Sequence, residues 1–295
     1  MYICYKIYKM DERTNTIIVP NEPIEVTEIR NKILEEFKDL KFEEEGHKYF
    51  IDGFQLPSVS EITHKFCANP FNSEEQAKAY AEKHGMTKEY WLDQWKFTNL
   101  KATTSGTLTH EFAEGLGWLR NGNPEFMPNS CKPKFISDKN WLIPTRPKEE
   151  AVIKFYDEID KNLHFVLAEA KVYSNKSEIS SVKNKFCGTF DLLMWYENPT
   201  DKSKSGLVVL DWKTNRDLKK EFSRNNGRTL LPPFSNYYEE PLSYYILQLN
   251  LYSLCLAGIG LPPIGARVIW LKDDGTYDII PIKLLYKEEW FKNAF

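Results

Sequence analysis

The segment GLVVLDWKTN at residues 206–215 combines a run of apolar β-forming residues with two charged side chains that a buried strand rarely carries. The run from residue 207 to residue 210 predicts a strand in the interior of a sheet. Because side chains alternate along a strand, Asp211 and Lys213 project from the same face, about 7 Å apart. A carboxylate and an ammonium group therefore stand together at the end of a buried strand, either as a structural ion pair or as part of a site.

A second carboxylate precedes this strand, at the end of GTFD in residues 188–191. If the chain turns near Asp201, Asp191 and Asp211 face each other across an antiparallel pair, with Cα atoms roughly 4.5–5.5 Å apart. Two carboxylates at that distance repel each other unless a cation lies between them, and hard carboxylate oxygens suit Mg²⁺ or Mn²⁺. The pattern therefore predicts a metal site, with a Lys–Asp ion pair on a solvated sheet face as the alternative.

The remaining periodicities predict an α/β fold class, with a central mixed β-sheet of four to five strands flanked by helices and a helical N-terminal region. We expect two regions packed as one compact unit, an N-terminal hairpin and helical region at residues 1–100 and the core at residues 101–295. From residue 147 onward the predicted order is α-β-β-β-α-β: helices at 147–162 and 241–257, strands at 164–173, 186–196 and 206–215, and a hairpin around residues 274–275 before a helical last dozen residues.

Turn and cap signals organise the N-terminal region. Asp52-Gly53 predicts the turn of a hairpin. Capping boxes at Ser58 and Ser73 predict the starts of two helices, the second of which ends at Gly85. The sequence further predicts a turn at residues 20–21, an acidic helix at 27–40, aromatic helical turns at 90–95, a separate helix at 106–120 and an irregular segment at 121–145.

The composition of the whole chain excludes several classes of protein. The chain has 295 residues and a net charge of −3, so no global basic field marks it as a nucleic-acid-binding protein. No stretch approaches the roughly 18 uninterrupted apolar residues of a membrane span, and the N-terminus lacks the apolar core of a secretory signal. The chain has an odd number of scattered cysteines, which are Cys4, Cys67, Cys131, Cys187 and Cys255. This distribution disfavours a disulfide scaffold and a CxxC zinc site, and it indicates a reducing, cytoplasmic environment.

GTFD at residues 188–191 followed by LDWK at residues 210–213 resembles the signature of the PD-(D/E)xK nuclease superfamily. GTLTH at residues 106–110 is similar to the GxxxH helix of the RecB-type exonuclease branch, and QLNLY at residues 248–252 is similar to its QxxxY helix. The four motifs follow the order of that branch and span about half of the chain. The segment YFIDGFQLPSVSEI at residues 49–62 is also similar, more weakly, to the start of phage-type exonucleases.

The resemblance implies a restriction-endonuclease-like core and a set of site residues. The implied metal ligands and catalytic lysine are His110, Asp191, Asp211, the main-chain carbonyl of Trp212, and Lys213. Gln248 and Tyr252, one helical turn apart, would contact the DNA strand or support the site. Glu169, on the strand before GTFD, matches an acidic position often found there, without a defined role.

For function, the resemblance implies a Mg²⁺- or Mn²⁺-dependent deoxyribonuclease, most simply an exonuclease in DNA recombination, repair or phage and mobile-element DNA processing. Its partners would be DNA, as a duplex end or a single strand, and a recombination protein, with no membrane. No cysteine follows Cys255, so the Fe–S cluster of some RecB-type nucleases is not expected, and the sequence has no P-loop for a helicase motor. The segment 216–240 would follow the phosphate backbone with its basic side chains Lys219, Lys220, Arg224 and Arg228.

Other interpretations stay open on the sequence alone. The pattern Asp/Glu-x-Lys occurs five times, and its copy at residues 169–171 competes with the copy at 211–213 for the same role. His110 could pair on the surface with Glu114, one turn later, and the QxxxY side chains could simply pack a helix. The alternative functions are a structure- or sequence-dependent endonuclease on the same core and a nuclease-like DNA-binding module that does not cleave.

Overall fold

The computed structural model describes residues 9–11, 16–18, 22–43, 45–46, 48–121, 144–174 and 185–295. The predicted turn at residues 20–21 lies outside the described residues, as does nearly all of the predicted irregular segment 121–145. In the described part of the chain, no helix combines the length and the apolar character that a membrane span requires.

A five-stranded mixed sheet forms the centre of the fold, as the sequence predicted. Its strand order is β10-β9-β8-β7-β6, with β8 and β9 parallel and the other neighbours antiparallel. The order α-β-β-β-α-β from residue 147 onward is confirmed, apart from a short additional helix in the loop after β8. The strands are β6 (Leu163–Tyr173), β7 (Cys187–Tyr196), β8 (Gly206–Lys213), β9 (Gly265–Leu271) and β10 (Tyr277–Ile282).

Helices cover both faces of this sheet. On one face, Phe155 of α5 packs edge-on against Trp212 of β8, with ring centroids 4.9 Å apart. On the other face α7 is buried nearly all round, which is typical of a helix enclosed in a core. The described helices are α1 (Ile24–Glu36), α2 (Val59–His64), α3 (Ser73–His84), α4 (Lys88–Arg120), α5 (Pro147–Glu158), α6 (Glu221–Asn225), α7 (Pro241–Gly258) and α8 (Glu289–Lys292).

Two small sheets belong to the N-terminal part of the chain. The predicted hairpin at residues 52–53 is confirmed: Asp52 and Gly53 have φ of 51° and 80°, as a two-residue type I′ turn requires. The capping box at Ser58 is also confirmed, since Ser58 and Glu61 exchange hydrogen bonds through side chain and main chain. The strands are β1 (Lys9–Asp11) with β2 (Thr16–Ile18), and β3 (Lys41–Glu43), β4 (Lys48–Ile51) and β5 (Phe54–Leu56).

Helix α4 differs from the prediction, because it is one continuous helix from Lys88 rather than aromatic turns followed by a helix from Gly106. The Thr87 hydroxyl accepts a hydrogen bond from the Tyr90 main chain and so caps the earlier start. Residues 88–105 contain neither glycine nor proline, so nothing in them interrupts the helix. The boundary expected between residues 100 and 101 falls inside this helix.

Smaller differences concern the ends of other helices. The predicted capping box at Ser73 is wrong, because the Asn72 side chain caps α3 by accepting a hydrogen bond from the Glu75 main chain. Helix α1 ends at Glu36 and α5 at Glu158, each earlier than predicted. The last dozen residues contain only the single turn of α8.

Helix α1 covers the edge strand β6 by means of a buried arginine. The Arg30 guanidinium donates to the main-chain carbonyl of Val166 at 2.8 Å and to that of Phe165 at 3.3 Å, and it pairs with Glu22. These bonds satisfy carbonyl groups that an edge strand would otherwise expose. Helix α1 is therefore fixed to β6 near residues 165–166.

Candidate active site

The carboxylates of Asp191 and Asp211 occupy neighbouring positions on β7 and β8. The ladder between these strands runs to the pair Leu192 and Leu210, and the next position along this register places Asp191 opposite Asp211. This is the register that the symmetric turn predicted. The Asp191 carboxylate accepts a hydrogen bond of 2.7 Å from the Trp212 main-chain N–H, which holds it across the gap between the strands.

Glu169 extends the same row onto β6. Ala168 pairs with Leu192 and Ala170 with Phe190, so Glu169 lies opposite Asp191. Its φ of 48° places it in the left-handed region, which is uncommon for a residue other than glycine. Such a conformation costs about 1–3 kcal/mol, and residues held in it cluster at functional sites.

Helix α4 brings His110 to this row of three carboxylates. The Nδ1 atom of His110 lies 3.5 Å from Oδ2 of Asp191 and 3.8 Å from Oε1 of Glu169. One ligand atom from each of these three side chains falls within 4.8 Å of the others, which is close enough for a shared metal ion. Burial by itself lowers the pKa of His110, but the charges of Asp191 and Glu169 outweigh it and raise the pKa to about 9.

Asp211 stands at the other end of the row and is paired with Lys213. Its Oδ2 atom lies 2.5 Å from the Lys213 ammonium, which also lies over the Tyr245 ring at 4.4 Å. Burial raises the pKa of Asp211, the charge of Asp191 raises it further, and Lys213 opposes both effects. The Asp211 side chain is fully buried, and its Oδ1 atom has no hydrogen-bond partner among the described residues. A buried carboxylate oxygen without a hydrogen-bond donor is a chemical fit for a cation.

Close contacts at two glycines join the four sequence motifs. A Cβ atom on Gly188, the glycine of GTFD, would lie 2.7 Å from Cε1 of Tyr252, the tyrosine of QLNLY. A Cβ atom on Gly106, the glycine of GTLTH, would lie 3.3 Å from Oγ1 of Thr214, just after LDWK. The four segments therefore meet at one place, although more than 130 residues lie between the first and the last of them in the sequence.

A cleft of about 270 Å³ opens beside the carboxylates. Gln248 and Tyr252 line it, joined by a hydrogen bond of 3.1 Å from the amide to the hydroxyl. Tyr49 and Thr189, whose hydroxyls are 3.1 Å apart, also line it and were not expected at the site. The alternation that places Asp191 on this face also places Thr189 there, so a signal for that residue was present in the sequence.

The basic residues of segment 216–240 do not line this cleft. Arg224 pairs with Glu240 and lies over the Tyr238 ring, and Arg228 lies over Phe222. The predicted contact of Lys219, Lys220, Arg224 and Arg228 with nucleic acid stays a prediction.

Two further expectations concern neighbours of the site. A surface pair between His110 and Glu114 is not observed: Glu114 is buried, and burial together with Glu169 raises its pKa to about 8. Trp212 directs its indole to the opposite face, against Phe155, so only its main chain faces the carboxylates. The role of the Trp212 main-chain carbonyl as a metal ligand stays a prediction.

Comparison with known proteins adds no family assignment. A scan against protein-family models gives no match, and a search of curated proteins gives no significant match.

Proposed function

We propose that the protein is a metal-dependent deoxyribonuclease with a PD-(D/E)xK core, acting as an exonuclease in DNA recombination, repair or mobile-element DNA processing. The observation that carries the proposal is the meeting of His110, Glu169 and Asp191 within 4.8 Å, beside the buried pair of Asp211 and Lys213. Phosphodiester hydrolysis requires a cation site and a positive charge near the phosphate, and this arrangement offers both.

The residues present fit a divalent cation. Carboxylate oxygens suit Mg²⁺ and Mn²⁺, while an imidazole ligand favours Mn²⁺ over Mg²⁺. His110, Glu169 and Asp191 would hold the ion, whereas the buried carboxylate of Asp211, a predicted ligand, lies outside this group of ligand atoms. A bound ion of this kind would act as a Lewis acid on a phosphate and lower the pKa of water.

The chain's own groups have separate roles in the proposal. The charged Lys213 would neutralise charge that develops on the phosphate, and Tyr245 and Asp211 hold its ammonium in place. The Trp212 N–H fixes the orientation of Asp191. Gln248 and Tyr252, hydrogen-bonded to each other at the cleft, would contact the strand beside the scissile bond.

An exonuclease is proposed ahead of an endonuclease because the four motifs that meet at the site resemble those of the RecB-type exonuclease branch. An endonuclease on the same core and a DNA-binding module without turnover are the competing functions, and the experiment below separates all three.

The test is degradation of end-labelled linear duplex and single-stranded DNA with Mg²⁺, Mn²⁺ or EDTA, beside a covalently closed circle. The Asp191→Asn and Asp211→Asn variants should abolish the activity, whereas the matched control Asp93→Asn should keep it, because Asp93 is exposed and lies outside the site and the segment 216–240. Loss of linear DNA alone supports the proposal. Cutting of the circle would identify an endonuclease, and salt-sensitive binding without cleavage would identify a binding module.

A further inference from the structure

A second cavity lies on the opposite face of the central sheet from the carboxylates. It has a volume of about 400 Å³ and begins where α5 ends, at Glu158, leaving that part of the sheet face without a helix over it among the described residues. Its walls are mostly apolar, and two of them are exposed: Ile264 and Ile279 are 43% and 48% accessible. The other apolar walls are Phe155, Ile159, Leu163, Val208 and Leu210.

Among the described residues, the one cation in the lining of this cavity is not paired with an anion. Arg267 of β9 lines it, and within the described residues its guanidinium makes no hydrogen bond or ion pair. Two acidic residues also line the cavity, at the end of α5 and just after it, and their hydrogen-bond partners are neutral: Glu158 accepts from the Tyr277 hydroxyl at 2.8 Å, and Asp160 accepts from a nearby main-chain N–H. A guanidinium beside apolar walls is complementary to a carboxylate carried on an apolar group.

The cavity also borders an open sheet edge. Ile279 belongs to β10, the last strand of the sheet, whose outer edge has no strand partner among the described residues. Unpaired main-chain groups on such an edge can bind an extended polypeptide, while pockets beside the strand receive its side chains. A polypeptide would use both the edge and the cavity, whereas a small apolar acid would use the cavity alone.

We propose that this site binds the C-terminal segment of a partner polypeptide, with its apolar side chains in the cavity and its terminal carboxylate on Arg267. The main chain of the bound segment would lie along β10. The site is on the face of the sheet that does not carry the carboxylates, so the inference is independent of the proposed nuclease function.

The experiment uses the full chain with ¹³C-labelled isoleucine δ1 methyl groups and two probes. The probes are the peptide Ac-Ala-Val-Leu-Phe with a free carboxylate and the same peptide with a C-terminal amide. We expect the acid to shift the methyl signals of Ile264 and Ile279 and to leave that of Ile62, near the other face, unchanged. The amide should bind at least about tenfold more weakly, because it lacks the charge-assisted hydrogen bond to Arg267.

Variants test the role of the guanidinium. Arg267→Met should reduce the affinity for the acid to that for the amide, Arg267→Lys should retain part of the difference, and the exposed control Arg216→Met should change nothing. Far-UV circular dichroism verifies that each variant is folded. Equal affinities for acid and amide, no binding of either peptide, or shifts confined to other isoleucines would overturn the proposal. Shifts from octanoate without shifts from the peptide would overturn the polypeptide as the occupant.

Discussion

The contact between Gly188 and Tyr252 gives a prediction that can be worked out from distances. In Gly188→Ala the new Cβ atom would lie 2.7 Å from Cε1 and 3.2 Å from the hydroxyl of Tyr252. The first distance is shorter than two carbon atoms tolerate, so either the ring or β7 must move. Tyr252 is only 4% exposed and packs in the core, which leaves the ring little room. Overpacking of this kind costs about 1–3 kcal/mol.

The assay is a double-mutant cycle on the free energy of unfolding in urea. Gly188→Ala should destabilise the protein by about 1–3 kcal/mol, whereas in a Tyr252→Ala background the same change should cost less than about 0.5 kcal/mol. The matched control is Gly265→Ala, also on a strand, whose Cβ would make ordinary contacts of 3.6 Å and 3.7 Å with Val208.

Two outcomes would contradict this prediction. An equal cost of Gly188→Ala in both backgrounds would show that Tyr252 is not the obstacle. A cost for Gly265→Ala as large as that for Gly188→Ala would show that strand glycines matter here for another reason. In either case the convergence of the GTFD and QLNLY segments would lose its physical support.

Three other predictions concern the charged groups. His110→Ala should weaken Mn²⁺ binding at least about tenfold and Mg²⁺ binding less, by isothermal titration calorimetry, because imidazole is the ligand that favours Mn²⁺. Because its pKa is about 9, His110 carries a proton that a metal ion must displace, and the affinity for Mn²⁺ should therefore rise with pH up to about pH 9. An affinity that does not change with pH would exclude His110 as a ligand. Lys213→Met should lower the free energy of unfolding by about 3–5 kcal/mol at pH 8, because it leaves the buried Asp211 charge unpaired. The loss should be smaller at pH 5, because the raised pKa of Asp211 lets this carboxylate take up a proton there. Urea denaturation at both pH values measures the difference.

The strands of the core could be predicted from sequence because their signals are local. Apolar runs mark β7 and β8, and the symmetric position of the turn between them sets the register that brings Asp191 opposite Asp211. The GxxxH resemblance added His110, which no periodicity would have selected. Each of these features can be recognised from residues that are close together in the sequence.

Other features could not be predicted because they depend on contacts across the fold. The left-handed backbone of Glu169 is uncommon for glutamate, and no local signal marks it, although it places this carboxylate beside His110. Arg224 looked available for a phosphate, but its partner Glu240 lies sixteen residues away in a loop whose path the sequence does not define. The early start of α4 was missed because the aromatic residues near Trp91 suggested isolated turns, whereas they pack on Tyr80 of α3.

The charge balance of the row explains why the site would select a cation. Three carboxylates, Glu169, Asp191 and Asp211, face the same side of adjacent strands, while Lys213 at one end and His110 at the other supply at most two positive charges. In the metal-free protein the proton on His110 therefore acts as a counter-ion, and its raised pKa expresses that role. A divalent cation held by His110, Glu169 and Asp191 would replace this single positive charge with two. A divalent ion would therefore balance the charge of the three carboxylates better than a proton does, and this difference would favour metal binding.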